Sequence, residues 1–338
     1  MNNERNPHCK RKKFAFAMEM FCGLRKIQLN CCYPDEVIII IVWFRKEKIM
    51  TNSLKALNEY IMKNNGRIKG RFCDINDLKQ IGQGGNAMVF SGKIANNNVA
   101  VKFLINSESK KIKRFIAEYI NIALKRDNLK NTINYIDFDY LIIDDKTNIP
   151  YIIMPLFQES LIEYRKEQVK NTNVIDFEII LTLLKDLLDS LRSLENEGII
   201  HRDIKPENIL VKNNHFYISD FGIAHFNEDY PINNLTAQSD KLANFQFAAP
   251  EQIDRKNVSF ATDIYSAMLV IYWMVFGETC KGTTRYLLPK LYKHEKAELI
   301  DNLIAKGLDT FPERRFNSVD EIQEFISKKK KMKEEEKK

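Results

Sequence analysis

The sequence predicts an α+β chain of two lobes: a small lobe on a five-stranded antiparallel sheet, then a larger, mostly helical lobe. Three observations carry that expectation. Residues 74–156 hold short alternating runs broken by turn residues, with a single amphipathic helix among them. Residues 157–327 are dominated by helical periodicity, including a long leucine stripe and a helix apolar nearly all round. Between the two helical runs stands "HRDIKPEN", starting at His201, whose density of acids, bases and amide serves a site better than a surface.

The elements follow in chain order. Residues 1–49 are cysteine-rich, basic and without clear periodicity, and are expected to form an N-terminal extension, disordered or absent from the native protein. Met50 opens "MTNSLKALNEYIMKNN" like a protein terminus, and residues 50–73 read as a short helical lead-in with Ser53 as its cap. The alternative use of the extension is an arm touching a membrane surface, with Cys31 and Cys32 lipidated beside the apolar run Val37 to Phe44. That run is far shorter than the roughly 20 residues a membrane span needs. "DLKQIGQGGNAMVFSGKI" alternates around a glycine turn, and "NNN" then turns into "VAVKFLI", giving three antiparallel strands. "KKIKRFIAEYINIALKR" spaces Ile112, Phe115, Ile116, Tyr119, Ile122 and Ala123 as one helical face. "INYIDFDYLII" and "PYIIMPL", separated by "DDKTN", complete the sheet.

In the second lobe "FEIILTLLKDLLDSLRSLENEG" puts Ile180, Leu183, Leu184, Leu187, Leu188, Leu191 and Leu194 on one stripe, with Gly198 as a stop signal. "TDIYSAMLVIYWMVFG" is expected to be a buried central helix, too short and too poorly flanked to span a membrane. The tail 328–338 is charged.

The net positive charge belongs to the ends. The net +7 divides into +5 over residues 1–49, +4 over 328–338 and −2 over the body between, so no basic groove for nucleic acid is expected. Of six cysteines, four lie in the first 32 residues, none in a C-x-x-C pair, and the five histidines are scattered. This argues against a zinc site and a disulfide framework, and makes a reducing, cytoplasmic setting the default.

Within the first lobe, Lys102 sits in a strand among Val99, Ala100, Val101 and Phe103, and a buried ammonium needs an anion. Glu118 lies on the helical face of Phe115 and Ile122 and has the complementary problem, so a Lys102–Glu118 pair is expected, with the lysine presented to a phosphate. Gly82 and Gly84, in a turn between strands, let backbone N–H groups approach an anion. In the second lobe Asp203 can accept a proton from a hydroxyl, and Lys205 can hold a transferring phosphoryl group. Asn208 and the Asp220 of "YISDFG" offer hard oxygen donors suited to Mg²⁺. Positioned phosphates, a metal and an aligned nucleophile are what phosphoryl transfer requires.

The ordered set "GQGGNAMV", "VAVKF" with Glu118, "HRDIKPEN", "DFG" and "APE" resembles the eukaryotic-type (Hanks-type) serine/threonine protein kinases, over roughly residues 74–327. The resemblance implies a bilobal protein-kinase-like fold, with an N-lobe of 74–156 and a C-lobe of 157–327. It implies ATP and Mg²⁺ as cofactors and a protein substrate. By it, Gly82, Gly84 and Val89 cover the nucleotide, Ala100 and Leu210 sandwich adenine, and Lys102 holds phosphates. Met154 guards the back pocket, and Pro155–Phe157 form the hinge, Phe157 keeping the N–H that adenine requires. Asp203 resembles the catalytic base, Lys205 the phosphate-stabilising lysine, and Asn208 with Asp220 the metal ligands; a lysine two after the aspartate is the Ser/Thr pattern. Glu251 with Arg315 resembles a buried ion pair, Asp263 a support of the catalytic-loop backbone, and His201 and Phe221 packing residues.

Two departures stand out: Ala87 replaces the third glycine, and Asn244 stands where the family generally has threonine. Arg202 is expected to meet a phosphorylated Thr236 or Ser239, with self-association for that autophosphorylation. The competing functions are an ATP-binding pseudokinase scaffold and a kinase-like small-molecule phosphotransferase. The filled polar positions argue against the first, and "APE", Arg315 and Lys205 against the second.

Overall fold

The computed structural model describes residues 53–71, 73–145, 147–226, 246–254, 256–280 and 285–336. The expectations for residues 1–52, including Cys31, Cys32 and the Val37 to Phe44 run, lie outside these residues, as do Thr236, Ser239 and Asn244.

The first lobe opens with helix α1 (Ser53–Lys63), a two-residue strand β1 (Ile68–Lys69), and strands β2 (Asp74–Gln83), β3 (Ala87–Ile94) and β4 (Asn97–Leu104). Helix α2 (Ser109–Lys125) follows, then β5 (Asp137–Asp144) and β6 (Thr147–Pro155). The sheet has six strands in the order β1-β2-β3-β4-β6-β5, all neighbours antiparallel, and this corrects the five expected. The extra strand has no alternation of its own. It exists because the chain leaving α1 doubles back, pairing Ile68 with Ile75 and Lys69 with Asp74.

Period two decides what each strand residue meets. In β4, Val99, Val101 and Phe103 face a cluster with Leu57 and Ile61 of α1, Ile75, Met88, Phe90, Tyr151 and Ile153. Ala100 and Leu104 face the opposite way, into the cluster shared with α2 and the second lobe. Both faces of β4 are therefore covered, which is why it reads as a nearly continuous apolar run. Leu57 is fully buried, so α1 is a packed layer over the sheet.

The second lobe contains β7 (Glu159–Ser160), α3 (Leu161–Thr172), α4 (Phe177–Asn196), β8 (Ile199–Ile200), a 3₁₀ turn (Pro206–Asn208), β9 (Ile209–Lys212), β10 (His215–Ile218) and β11 (His225–Phe226). Helices α5 (Pro250–Ile253), α6 (Phe260–Phe276), α7 (Leu288–Leu291), α8 (Ala297–Gly307) and α9 (Val319–Glu336) complete it. The leucine stripe of α4 is buried as its spacing requires, and Asp176 caps its N-terminus by accepting from the Glu178 N–H at 2.9 Å. Helix α6 is the buried central helix; Gly277 ends it at φ +78°, a left-handed turn natural to glycine. The lysine-rich residues from Lys328 continue α9 as far as Glu336. Among the described residues no helix is long and apolar enough to cross a membrane.

Candidate active site

Two hairpins and α2 converge on the cleft between the lobes. Gly82 ends β2 opposite Val89 of β3, and the turn between them is closed by the Gly84 N–H donating to the Ala87 carbonyl at 2.8 Å. A Cβ added at Gly84 would meet only that carbonyl, at 3.9 Å, and one at Gly85 nothing within 4 Å. The described chain leaves the space around this turn open. Val89 in turn pairs with Lys102, and Ala100 with Met154 of β6. Ala100 and Met154 are buried in the inter-lobe cluster, and Val89, Phe157 and Leu210 pack against it. Phe157 follows β6 in the connection between the lobes, its ring 5.1 Å from that of Tyr217.

The expected ion pair forms. Lys102 Nζ donates to Glu118 Oε1 at 3.0 Å and Oε2 at 3.3 Å, and it reaches further, to Asp220 Oδ1 at 3.1 Å. Burial works against the ammonium charge, but the Asp220 and Glu118 carboxylates outweigh it and hold Lys102 above its ordinary value. Lys102 pulls Asp220 below the usual carboxylate range, whereas burial pushes Glu118 up despite Lys102. For Glu118 burial is the largest influence, and for Asp220 it is the charge of Lys102.

A second cluster stands on the loop between β8 and β9. Asp203 Oδ2 accepts from Lys205 Nζ at 2.7 Å and from Asn208 Nδ2 at 2.8 Å, and Oδ1 accepts from Lys205 at 2.8 Å. Burial raises the Asp203 carboxyl, and Lys205 offsets part of that rise. Asn208 joins this cluster to Asp220: its carbonyl accepts from the Ser219 N–H at 2.8 Å and from Ser219 Oγ at 3.0 Å. Asn208 uses its amide nitrogen on Asp203. Among the described residues its Oδ1 and the Oδ2 of Asp220 have no hydrogen-bond donor, which leaves one oxygen on each for a cation. No group of three His, Cys, Asp or Glu side chains suited to a metal occurs among the described residues. An amide oxygen and a carboxylate oxygen are donors of the kind a hard cation takes.

The backbone beneath is strained and braced. Arg202 and Asp220 adopt φ of +68° and +64°, a left-handed conformation that costs a non-glycine residue about 1–3 kcal/mol. Asp263, buried at the start of α6, accepts from the His201 N–H at 2.6 Å and the Arg202 N–H at 2.8 Å. Burial raises the Asp263 carboxyl to about 7 in spite of these two bonds. Gln252 Nε2 donates to the Arg202 carbonyl at 2.9 Å, a brace that nothing in the sequence pattern signals. His201 is a packing residue: burial pushes its imidazole down to about 4, and its ring meets that of Phe221 edge-on at 4.8 Å. Glu251 and Arg315 form the expected buried pair at 2.8 Å.

Sequence reasoning missed Tyr135, a buried phenol that donates to Glu118 Oε1. Only its apolar neighbourhood was readable.

The family model described as protein kinase domain matches residues 75–336. A probable serine/threonine-protein kinase of Clostridium perfringens is 26% identical over 277 residues, covering 76% of this chain and 38% of its own length. A serine/threonine-protein kinase of Candida albicans is 28% identical, covering 76% of this chain and 28% of its own length. The interferon-induced, double-stranded RNA-activated protein kinase of Mus musculus is 27% identical over 252 residues, covering 68% and 47%. The chain thus spans less than half the length of these relatives.

Proposed function

This chain belongs to the protein kinase family, and from that premise we propose that it transfers the γ-phosphate of ATP to Ser/Thr hydroxyls of protein substrates. The transferring unit is residues 74–327. The observation that carries the reading is the meeting, in one cleft, of the Lys102–Glu118–Asp220 triad with the Asp203–Lys205–Asn208 cluster through Ser219.

ATP enters with adenine between Ala100 and Leu210, its edge on the Pro155–Phe157 connection and its phosphates under the Gly82–Gly84 turn. Lys102 is already held in the cleft by its two carboxylates, 3.0 and 3.1 Å away, so little ordering remains to be done when phosphates arrive. Asn208 Oδ1 and Asp220 would hold Mg²⁺, which when bound neutralises charge on the phosphate oxygens. Asp203 takes the proton of the acceptor hydroxyl as that oxygen attacks the γ-phosphorus and the bond to ADP breaks. Lys205, now on both Asp203 oxygens, shifts part of its charge to the transferring group. Binding energy and geometry do the work; no covalent intermediate on the protein is needed.

Ser/Thr preference rests on Lys205 two residues after Asp203 and on the naming of the relatives as serine/threonine-protein kinases. We place the activity in the cytoplasm, where ATP is abundant and the thiols of Cys73 and Cys280, free in the structure, stay reduced. Autophosphorylation at Thr236 or Ser239 remains part of the reading, with Arg202 as the receiving cation.

The test offers the purified chain γ-labelled ATP and a divalent ion with three acceptors: a generic basic protein, a tyrosine-only peptide polymer and an aminoglycoside. Label on serine or threonine of the basic protein, located by phosphosite mapping, is the expected result. Label confined to the small molecule, or to no acceptor and not to the chain itself, would overturn the proposal.

A further inference from the structure

The triad, of which Glu118 is the buried member, is unbalanced in charge. One ammonium, Lys102, serves two carboxylates, Glu118 at 3.0 Å and Asp220 at 3.1 Å. A buried carboxylate without enough donors is costly, and a second cation nearby would compete for the same anions. A neutral donor leaves the net charge as it is but satisfies a buried carboxylate oxygen, and Tyr135 is that donor for Glu118. Its hydroxyl donates to Glu118 Oε1 from the segment between α2 and β5. Tyr135, Glu118 and Phe221 are all nearly inaccessible to water. The phenol thereby ties Glu118 of α2 to the segment that leads into β5.

Helix α2 needs such a join near its middle. At its C-terminal end Lys125 Nζ donates to the Glu197 carbonyl at 3.2 Å and the Glu197 carboxylate at 3.1 Å. At its N-terminal end Glu108 makes no side-chain cap. The α2 packing face is made of Phe115, Ile116, Tyr119 and Ile122. Apolar contacts of this kind are non-directional and tolerate small shifts of a helix along its neighbour, whereas a hydrogen bond to a carboxylate does not.

We propose that Tyr135 is a positioning residue for phosphoryl transfer: its hydroxyl holds Glu118, and with it α2, at pairing distance from Lys102 while Lys102 is drawn toward the phosphates of ATP. The inference rests on the kinase reading above. Before ATP arrives Lys102 gives Glu118 two of its three hydrogen bonds. Once Lys102 is shared with a phosphate, the phenol becomes the constant partner. It is a donor of the right kind for that task, because burial, reinforced by the Glu118 charge, keeps it protonated far above its ordinary range. Phenylalanine would fill the same volume beside Tyr119, whose ring stacks at 6.3 Å, and remove only the donor.

The experiment uses the full chain as wild type, Tyr135→Phe, Glu118→Met and the double variant. Two quantities are read: phosphate transfer from ATP to a generic basic protein, and hydrogen exchange of the 109–125 amides without nucleotide. For Tyr135→Phe, kcat falls about tenfold or more, the size of one hydrogen bond to a charged group, while KM for ATP changes less than about threefold. The 109–125 amides exchange at least about threefold faster and those of α4 do not change. In the Glu118→Met background, adding Tyr135→Phe changes neither quantity further, because the phenol acts through that carboxylate. A kcat within about twofold of wild type, a loss carried by KM instead, unchanged exchange, or an equal loss in the Glu118→Met background each overturns the proposal. If the wild-type chain transfers no phosphate, the kinase reading fails, and the exchange cycle alone decides whether Tyr135 holds α2.

Discussion

Asp203→Asn reduces turnover about 10²- to 10⁴-fold, the range of a positioned general base, and leaves ATP affinity within about threefold of wild type. The two halves of this expectation have separate causes. Asparagine keeps the shape of the side chain and one acceptor oxygen, which in the Oδ2 position keeps the contacts from Lys205 and Asn208 at 2.7 and 2.8 Å, while the second Lys205 contact, to Oδ1, is lost. It cannot take a proton from an acceptor hydroxyl, and that step belongs to the transition state alone. In the proposed reading ATP is held elsewhere, by Ala100, Met154, Leu210 and Lys102, none of which the substitution touches. Single-turnover transfer from labelled ATP measures the first half and calorimetric titration of ATP the second. Undiminished transfer would remove Asp203 from the role; a matching loss of affinity would make it a binding residue.

The second large effect is on stability. Arg315→Met is expected to destabilise the fold by about 3–5 kcal/mol, the cost of stranding a buried charge. The Arg315 side chain is 0% exposed and its donors are all engaged. Nη1 and Nη2 reach the two Glu251 oxygens at 2.8 and 2.9 Å, and Nε reaches the Asp309 carbonyl at 2.6 Å. Nη1 also meets the Ala261 carbonyl at 3.3 Å and Nη2 the Thr310 carbonyl at 3.1 Å. Burial pushes the Glu251 carboxyl up, but its hydrogen bonds, that from Arg315 foremost, more than reverse this and hold it below its ordinary value. Methionine fills the volume and leaves Glu251 with Thr262 Oγ1, at 2.8 Å, as its one side-chain donor. Replacing both partners, Glu251→Leu with Arg315→Met, recovers part of the loss, because the stranded charge is then gone. Urea unfolding followed by far-ultraviolet dichroism gives both numbers. A loss below about 1 kcal/mol for Arg315→Met would show that the pair is dispensable. The pair also matters to the site, since Glu251 and Gln252 share α5 and Gln252 holds the Arg202 carbonyl at 2.9 Å.

Much of the cleft could be read before any coordinates because its residues contradict their surroundings. Lys102 among valines and Glu118 on an apolar helix face are charges without solvent, and each predicts the other; their 3.0 Å contact is the consequence. Helices α2 and α4 followed from periodicity, since one buried face is all that a helix requires, and α6 from being apolar nearly all round. What escaped was set by distant backbone. Strand β1 exists through its pairing with Asp74 and Ile75, and two residues carry no pattern. The partner of α1 was hidden because Leu57 and Ile61 show that a face is buried without saying against what. The clue lay 40 residues on, in a β4 strand apolar on both sides. Tyr135 reads as one more aromatic before a strand; its chemistry appears only when α2 brings Glu118 to it. Gln252 acts through the Arg202 carbonyl, an atom every residue has, so no side-chain pattern could announce it.

The claim on which the rest depends is that this cleft holds ATP with its terminal phosphate toward Asp203. A crystal structure with a non-hydrolysable ATP analogue and Mg²⁺ tests it most directly. The account predicts the purine between Ala100 and Leu210, Lys102 on a phosphate, and metal density touching Asn208 Oδ1 and Asp220. Nucleotide bound elsewhere, or an Asp220 still engaged by Lys102 alone with no metal beside it, would contradict it.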